Sequence, residues 1–430
     1  MKKVYIETLG CQMNKSDSER IYAILSKFDY KKTNEPKEAD FLIVNTCSIR
    51  QLSEEKAYSR LGVWGKWKKN KPELKIAICG CLPQHTDEDL LKRFPYLDLV
   101  FGTQNIYELP ELLKEEKRTK SIKKKEYVPE KDVDFMREKS VNAWIPIIEG
   151  CNNFCTYCIV PFTRGRERSR KPEVIINEAK EIIKQGFQEI TLLGQNVDSY
   201  GKDLEDKPTL AYLLREINKL EGKFRIRFVT SYPTDITDEL IETVKNCEKV
   251  CNYFHIPAQS GNSAILKKMN RKYTREEYGA IVDKIRSQVP DVTITSDFIV
   301  GFPSETQEQF EDTLSLIDKY ELDYSNIASY SPRPHTVASK MTDDFIDEKT
   351  KDERFQILNT KVKEMHLKSN KKFVNKIVEV LVEDNQGNIL KGRTGNNKIV
   401  HFESDKYKIG DFVNVKIKSA SVWHLKGEVI

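Results

Sequence analysis

Cys151, Cys155 and Cys158 stand in a C-x-x-x-C-x-x-C spacing within Gly150-Cys-Asn-Asn-Phe-Cys-Thr-Tyr-Cys-Ile159. Three thiolates on so short a loop suit a cubic 4Fe-4S cluster and leave its fourth iron without a protein ligand. An open iron can hold a small chelating molecule. The competing readings are a zinc loop or three reduced structural thiols. Zinc sites usually pair C-x-x-C knuckles with a fourth Cys or His, and no such ligand lies nearby in the sequence.

A second set, Cys11, Cys47 and Cys81, occupies the first quarter of the chain. Each follows an apolar run that reads as a strand, at 4–9, 41–45 and 75–78. In an open parallel sheet the loops after the strands share one edge, where ligands bind. Three thiols distant in sequence are thus expected to converge, and converging thiols make a second three-ligand cluster site. The alternative is three small buried residues, because free cysteine packs well in cores.

The elements that position these thiols divide the chain into domains. Residues 1–118 alternate short strands, a fourth of them at 99–102, with charged helical segments. Ser16-Asp-Ser-Glu19 reads as a capping box. The expected fold is an open parallel α/β sheet with helices on both faces. Residues 119–139 are dense in Lys and Glu, broken by Pro129, and read as a linker. Residues 140–370 resume the alternation, with strands expected at 145–149, 189–193, 225–230, 253–257, 293–300 and 324–330. Thr274-x-x-Glu277 and Thr306-x-x-Gln309 are capping boxes between them, and 347–370 is a charged helix. Six β/α units are too few to close an eight-fold barrel. Residues 371–430 change character. Short strands at 378–382, 389–391, 398–401, 412–418 and 428–430, with turns at Asp384-Asn-Gln-Gly and Ile409-Gly-Asp, imply a small antiparallel β-barrel.

The motifs themselves are specific. Leu9-Gly-Cys-Gln-Met-Asn14, Asn45-Thr-Cys-Ser-Ile-Arg50 and Gly80-Cys-Leu-Pro-Gln84 resemble the signature of the methylthiotransferase family of radical S-adenosylmethionine (SAM) enzymes. The segment 150–170, with its tail Pro161-Phe-Thr-Arg-Gly-Arg-Glu-Arg-Ser-Arg170, is similar to the same family. The match runs nearly end to end. Gln12-Met13 resembles the branch that modifies isopentenylated tRNA adenosine. The ribosomal-protein branch usually carries Pro-Lys there, and the threonylcarbamoyl-adenosine branch Lys-Val. Pro83 departs from a common Ala. The resemblance implies a partial (β/α)6 barrel whose open side admits a large substrate. It implies two 4Fe-4S clusters and SAM, which splits to a 5′-deoxyadenosyl radical. The implied target is carbon 2 of N(6)-isopentenyladenosine beside the tRNA anticodon, with a second SAM supplying the methyl group. Lys391-Gly-Arg-Thr-Gly395 resembles the TRAM domain, an RNA-binding barrel.

Further site residues follow from this resemblance and from position. Tyr157 resembles the family aromatic beside the cluster and SAM. Leu193-Gly-Gln-Asn196 ends the second barrel strand, where Gly194 lets the backbone approach SAM and Gln195 or Asn196 can hydrogen-bond it. Thr230, Ser231, His255 and Gln259 sit at equivalent strand ends. His255 either binds substrate or satisfies a core hydrogen bond. Gly301 ends the fifth strand, near where adenine is expected, and Glu305 reads as a capping-turn acid. Arg164, Arg166, Arg168 and Arg170 alternate after the cluster loop. In an extended segment they form a row of guanidinium groups suited to phosphates, and Lys391 and Arg393 extend the RNA contact. A solvated charge run is the alternative. Cys79 is expected to point into the core, and Cys247 and Cys251 read as core or partly buried thiols.

Composition sets bounds on class. At 430 residues and 39% hydrophobic content, the chain has ample material for two or three cores. No apolar run approaches the ~18 residues of a membrane span, and the first residues lack a signal-peptide core. Nine cysteines, an odd number, point to a reducing cytoplasm rather than a disulfide framework. The net charge is +5, and residues 368–430 hold twelve Lys/Arg against seven Asp/Glu, which accounts for all of it. A basic module on a neutral body is the pattern of a nucleic-acid grip. The expected partners are a tRNA anticodon stem-loop, an electron-donating flavodoxin- or ferredoxin-like protein and a sulfur donor. The chain is expected to act as a monomer. The rival readings are a sister methylthiotransferase and a non-catalytic metal-containing RNA-binding protein.

Overall fold

A computed structural model of the chain describes residues 1–48, 51–86, 89–115, 117–122, 135–137 and 140–430. The last two residues of the Asn45–Arg50 motif and most of the linker, with Pro129, lie outside the described residues. The first domain contains β1 (Lys2–Leu9), α1 (Gln12–Ser26), β2 (Tyr30–Lys32), β3 (Phe41–Thr46), α2 (Gln51–Asn70), β4 (Lys75–Gly80), β5 (Leu99–Gly102) and β6 (Thr119–Ser121). The strands form one parallel sheet in the order β2-β1-β3-β4-β5-β6. Central β3 is buried along its whole length, so it reads as a continuous apolar run rather than an alternation. Its residues still divide by face. Phe41 and Ile43 pack with Ile21 and Leu25 of α1, while Leu42 and Val44 pack with Leu61 and Trp64 of α2.

Three details correct the sequence reading. β6 extends the sheet past residue 118, into the segment read as linker. β2, only three residues and charged, gives no apolar run to recognise. α1 begins at Gln12 rather than after Ser16, because Cys11 is its N-cap: the Cys11 N–H and thiol both lie within bonding distance of Asn14 Oδ1, at 3.3 and 3.4 Å. Ser18 then lies inside the helix, its hydroxyl 2.7 Å from Thr8 Oγ1.

The central domain holds β7 (Asn142–Pro146), β8 (Ile148–Glu149), β9 (Arg168–Ser169), α3 (Pro172–Lys184), β10 (Glu189–Leu193), α4 (Leu210–Asn218), β11 (Arg225–Phe228), α5 (Asp238–Asn246), β12 (Tyr253–His255), α6 (Arg275–Gln288), β13 (Thr293–Val300), α7 (Gln307–Lys319), β14 (Tyr324–Ser329) and α8 (Glu348–Lys371). Two parallel sheets, β7-β10-β11 and β12-β13-β14, meet where Ile226 bridges Val250 and Ser231 N–H donates to His255 O. Six parallel strands thus follow one another around an open barrel. Both capping boxes form, at Thr274/Glu277 and Thr306/Gln309. The strand expected at 145–149 is divided: β7 stops at Pro146, and β8 turns to pair antiparallel with β9.

β15 (Ile377–Gln386), β16 (Ile389–Thr394), β17 (Ile399–Glu403), β18 (Phe412–Ala420) and β19 (Leu425–Val429) close a barrel in the order β15-β16-β17-β19-β18. Every pairing is antiparallel except β17 with β19, which closes the barrel in parallel. Val380, Val400, Val415 and Ile417 fill its interior. The tail barrel docks on the central one through arginines of β11. Arg225 donates to Arg393 O at 2.7 Å and Glu379 O at 2.9 Å, and Arg227 donates to Gly395 O at 3.2 Å.

Candidate active site

Cys11, Cys47 and Cys81 follow β1, β3 and β4, neighbours in the sheet, and line one cavity of about 210 Å³. Local chemistry holds them there. Asn14 Nδ2 donates to Asn45 Oδ1 at 3.1 Å, and Asn45 Nδ2 donates to Asn14 O at 2.8 Å, so the motif asparagines lock the first two loops together. Gly80 precedes Cys81 at φ +96, where a Cβ would meet Thr46 O at 2.4 Å. The thiols contact one another. A hydrogen bond with Cys47 pulls Cys11 down to about 6 and also lowers Cys81, with the Arg164 guanidinium lowering both. Cys47, bonded to both neighbours, is correspondingly raised. Cys79 points the other way, into the core with Ile43 and Phe101.

The loop Gly150–Cys158 is built to hold three thiols on few residues. Gly150 has φ +84, and a Cβ there would meet Arg166 O at 2.0 Å. Gln195 Oε1 accepts from Gly150 N at 2.6 Å, and Asn270 Nδ2 donates to Phe154 O at 2.9 Å. Burial raises Cys151 to about 11 and Cys158 to about 12. Arg271 Nη1 donates to Cys155 Sγ at 3.6 Å, while its Nη2 donates to Pro257 O at 2.6 Å. Arg271 and Asn270 have no local signal in the sequence, because the fold brings them from more than a hundred residues away. Among the described residues no three His, Cys, Asp or Glu side chains form a ready-made cage for a single metal ion. Soft thiols alone, three to a set, suit an iron–sulfur group.

The structure sorts the remaining candidates. The thiol cavity is also lined by Ile159, Thr163, Gly194, Gln195, Val229 and Thr230, so Cys11, Cys47 and Cys81 face the strand ends of the barrel. Tyr157 packs with Met269, Phe302 and Tyr330, and burial raises its hydroxyl well above the usual value. His255 Nδ1 lies 2.9 Å from Thr295 Oγ1, its Nε2 lies 3.2 Å from Asp297 Oδ2, and its ring faces a second cavity of about 560 Å³. Four candidates are engaged in other ways. Asn196 Nδ2 donates to Asp235 Oδ2 at 2.7 Å. Ser231 Oγ donates to Asp198 Oδ1 at 3.2 Å. Gln259 uses its backbone to bond Asp297 O and Ile299 N–H. The space left by Gly301, at φ +68, is taken by the Lys351 stem of α8. Glu305 is more than a capping acid: it is buried and accepts from Gly301 N–H and Arg354 Nη1, both at 2.8 Å.

The arginine row is not one face, because only Arg168–Ser169 is extended. Arg164 turns inward and donates from Nη2 to Asp17 Oδ2 at 2.7 Å. Arg168 turns to Glu149, at 3.7 Å. Arg170 donates to Pro146 O at 2.8 Å and Glu178 Oε2 at 2.7 Å. Arg166 remains exposed, lying 4.3 Å over the Phe154 ring beside the cluster loop. In the tail, Arg393 lies 3.7 Å from Glu383 and lines the second cavity, while Lys391 stands beside His401 across the sheet.

Comparison with known proteins agrees with this architecture. The Radical SAM superfamily matches residues 145–317, the Uncharacterized protein family UPF0004 residues 3–102 and the TRAM domain residues 371–430. A tRNA-2-methylthio-N(6)-dimethylallyladenosine synthase from Acetivibrio thermocellus is 45% identical over 439 residues, covering 100% of this chain and 91% of that protein. The protein of that name from Clostridium botulinum is 47% identical, covering 99% and 96%. Among solved structures, the radical SAM methyltransferase TsrM from Kitasatospora setae shares the fold, with a TM-score of 0.58 at 13% identity over 79% of this chain and 77% of that one. No described helix is long and apolar enough to cross a membrane. The chain belongs to the tRNA-2-methylthio-N(6)-dimethylallyladenosine synthase family of radical SAM enzymes.

Proposed function

We propose that this chain replaces the hydrogen on carbon 2 of an N(6)-isopentenyladenosine beside a tRNA anticodon with a methylthio group. In this reading Cys151, Cys155 and Cys158 hold one 4Fe-4S cluster, and Cys11, Cys47 and Cys81 hold a second. The bound clusters and two SAM molecules supply electron transfer, hydrogen abstraction, sulfur and the methyl group. The observation that carries the reading is convergence: three thiols from three separate sheet loops line one cavity with the strand ends of the barrel.

The protein's own contribution is placement. Gln195 and Asn270 fix the cluster loop, and Arg271 reaches the Cys155 thiol. The second cavity shares Gln12, Val229 and Thr230 with the thiol cavity and runs toward the tail barrel, past Tyr253, Tyr324 and Trp423. Flat aromatic walls stack an unpaired base, and asparagine amides at 326, 370 and 397 offer polar edges. An adenine splayed from an anticodon loop fits this path better than one held in a duplex. Exposed Arg166 and the tail lysines supply phosphate contacts. A flavodoxin- or ferredoxin-like electron donor and a sulfur donor complete the system, which works in the cytoplasm.

The test is nucleoside mass spectrometry of tRNA from cells lacking the chain and from cells complemented with it. The 2-methylthio nucleoside should vanish and isopentenyladenosine accumulate. Loss of the methylthio derivative of threonylcarbamoyl-adenosine instead would assign the chain to the sister activity.

A further inference from the structure

One buried cation stands behind the Cys151–Cys158 loop without an acid to pair with. Arg271, just ahead of α6, is only 9% exposed, and among the described residues it has no ion pair with Asp or Glu. All three of its nitrogens are fixed. Nε donates to the Tyr273 hydroxyl, Nη2 to Pro257 O at 2.6 Å and Nη1 to Cys155 Sγ at 3.6 Å. The guanidinium lies against two rings, 4.4 Å from the Tyr232 centroid and 4.9 Å from that of Tyr273. Tyr273 is anchored in turn, donating to Pro257 O and Ala258 O at 3.1 and 3.0 Å. Rings and a carbonyl offset only part of the cost of burying a guanidinium. What remains is met by negative charge on sulfur, because the thiol of Cys155 takes the third side.

The place of this charge beside the loop says what it does. Arg271 meets Cys155 directly, and at Cys151 and Cys158, where burial raises the thiols, the same charge works the other way. Arg166 also stands beside the loop, but it is exposed over the Phe154 ring, where water screens it. Glu167 adds negative charge near the loop, accepting from Asn152 N–H at 3.2 Å. Net charge around an iron–sulfur group and hydrogen bonds to its sulfurs set its reduction potential. A fixed positive charge stabilises the reduced, more negative state, and does so most strongly where water is excluded. We propose that Arg271, through its N–H contact with the Cys155 sulfur, raises the reduction potential of the cluster held by Cys151, Cys155 and Cys158. The step it favours is uptake of one electron from the flavodoxin- or ferredoxin-like donor. No bond forms or breaks in the protein, and Arg271 keeps its proton throughout. Arg271 is thus a positioning residue that acts through Cys155. The inference rests on the cluster assigned to these three cysteines under the proposed function.

The experiment is a redox titration of the reconstituted full-length protein, followed by electron paramagnetic resonance of the reduced clusters, with iron counted in every sample. Cys155→Ala and Cys47→Ala samples assign the signals to the two cysteine sets. Arg271→Gln should disfavour reduction of the cluster on Cys151, Cys155 and Cys158 about ten- to a hundredfold, the range of one charged hydrogen bond, which is a fall of about 60 to 120 mV for one electron. Arg271→Lys keeps the charge without the fork and should recover part of that fall. Arg166→Gln removes an exposed charge and should move the potential far less. An unchanged potential in Arg271→Gln overturns the proposal, and weaker SAM binding in that sample would make the arginine a SAM contact instead. No recovery in Arg271→Lys, or an equal fall in Arg166→Gln or at the other cluster, overturns it as well. If Arg271→Gln loads no iron on these cysteines, Arg271→Met takes its place. If neither loads, the arginine is a structural support for the loop and the proposal falls. Absence of any signal that Cys155→Ala abolishes would refute the cluster itself, and the proposed function with it. A normal cluster with an unmoved potential refutes this inference alone.

Discussion

Replacing Arg227 with alanine should undo the seam between the central barrel and the tail barrel. Arg227 and Glu189 are 5% and 2% exposed and form a two-pronged pair, Nε to Oε1 at 3.1 Å and Nη2 to Oε2 at 3.0 Å. Arg227 also donates to the carbonyls of Thr394 and Gly395, at 3.4 and 3.2 Å. Burial pushes the Glu189 carboxyl up, and Arg227 with Arg225 more than offsets this, leaving it below its ordinary value of 4.5. Truncating Arg227 strands a buried carboxylate, at a cost of about 3–5 kcal/mol. Replacing both partners, as Glu189→Leu with Arg227→Met, removes the stranded charge, leaves two carbonyls short of a donor and leaves Asn142 Nδ2 with Thr191 Oγ1 in place of Glu189. The double variant should therefore be more stable than Arg227→Ala. The sign with pH follows from the depressed carboxyl: its contribution is present above the ordinary value and is lost as the pH falls through the folded value, so the cost of Arg227→Ala shrinks in acid. Denaturant unfolding gives the free energies, and amide exchange in residues 377–429 reports whether the tail barrel loosens first. A cost below about 1 kcal/mol for Arg227→Ala, or a double variant no better than the single, refutes the reasoning.

The two thiol sets should separate functionally: Cys155→Ala abolishes SAM cleavage, whereas Cys47→Ala still cleaves SAM but makes no methylthiolated tRNA, and cleavage by Cys155→Ala protein would break the assignment. Lys391, His401 and Lys426 are register neighbours across β16, β17 and β19, so alanine at both lysines should weaken tRNA binding and lower its salt slope by about one to two; an unchanged slope places the RNA elsewhere. Burial raises Asp198 from 3.8 to about 7 against the hydrogen bonds from Tyr232 N–H and Ser231. The folded state then keeps a proton that the unfolded state releases, so stability falls by up to about 1.4 kcal/mol per pH unit between these values and is flat above them. Asp198→Asn should remove that slope, and parallel wild-type and variant profiles would show that Asp198 ionises normally.

Element types were legible in the sequence wherever period and punctuation agreed. The strands at 189–193 and 293–300 have the observed bounds, and the capping boxes at Thr274 and Thr306 open the helices expected of them. These features depend on neighbours within a few residues, and local sequence states them directly. β2 and β6 were not legible, because three charged or polar residues become strands only when a sheet edge is there to pair with. The cysteine spacing at 151–158 and the strand-end position of the other three thiols singled out both sets as candidates, and the convergence of Cys11, Cys47 and Cys81 on one cavity followed from the parallel sheet. The partners of the arginine row were not. Alternation at 164–170 promised one extended face, yet Arg164 turns toward Asp17 and Arg170 toward Glu178, because carboxylates from α1 and α3 are packed against the segment. Asn270 and Arg271 reach the cluster loop across more than a hundred residues, and Asn14 meets Asn45 across thirty-one. Spacing along the chain announces which side chains can ligate. Which charges pair beside them depends on the packing of distant helices, and no local pattern encodes that.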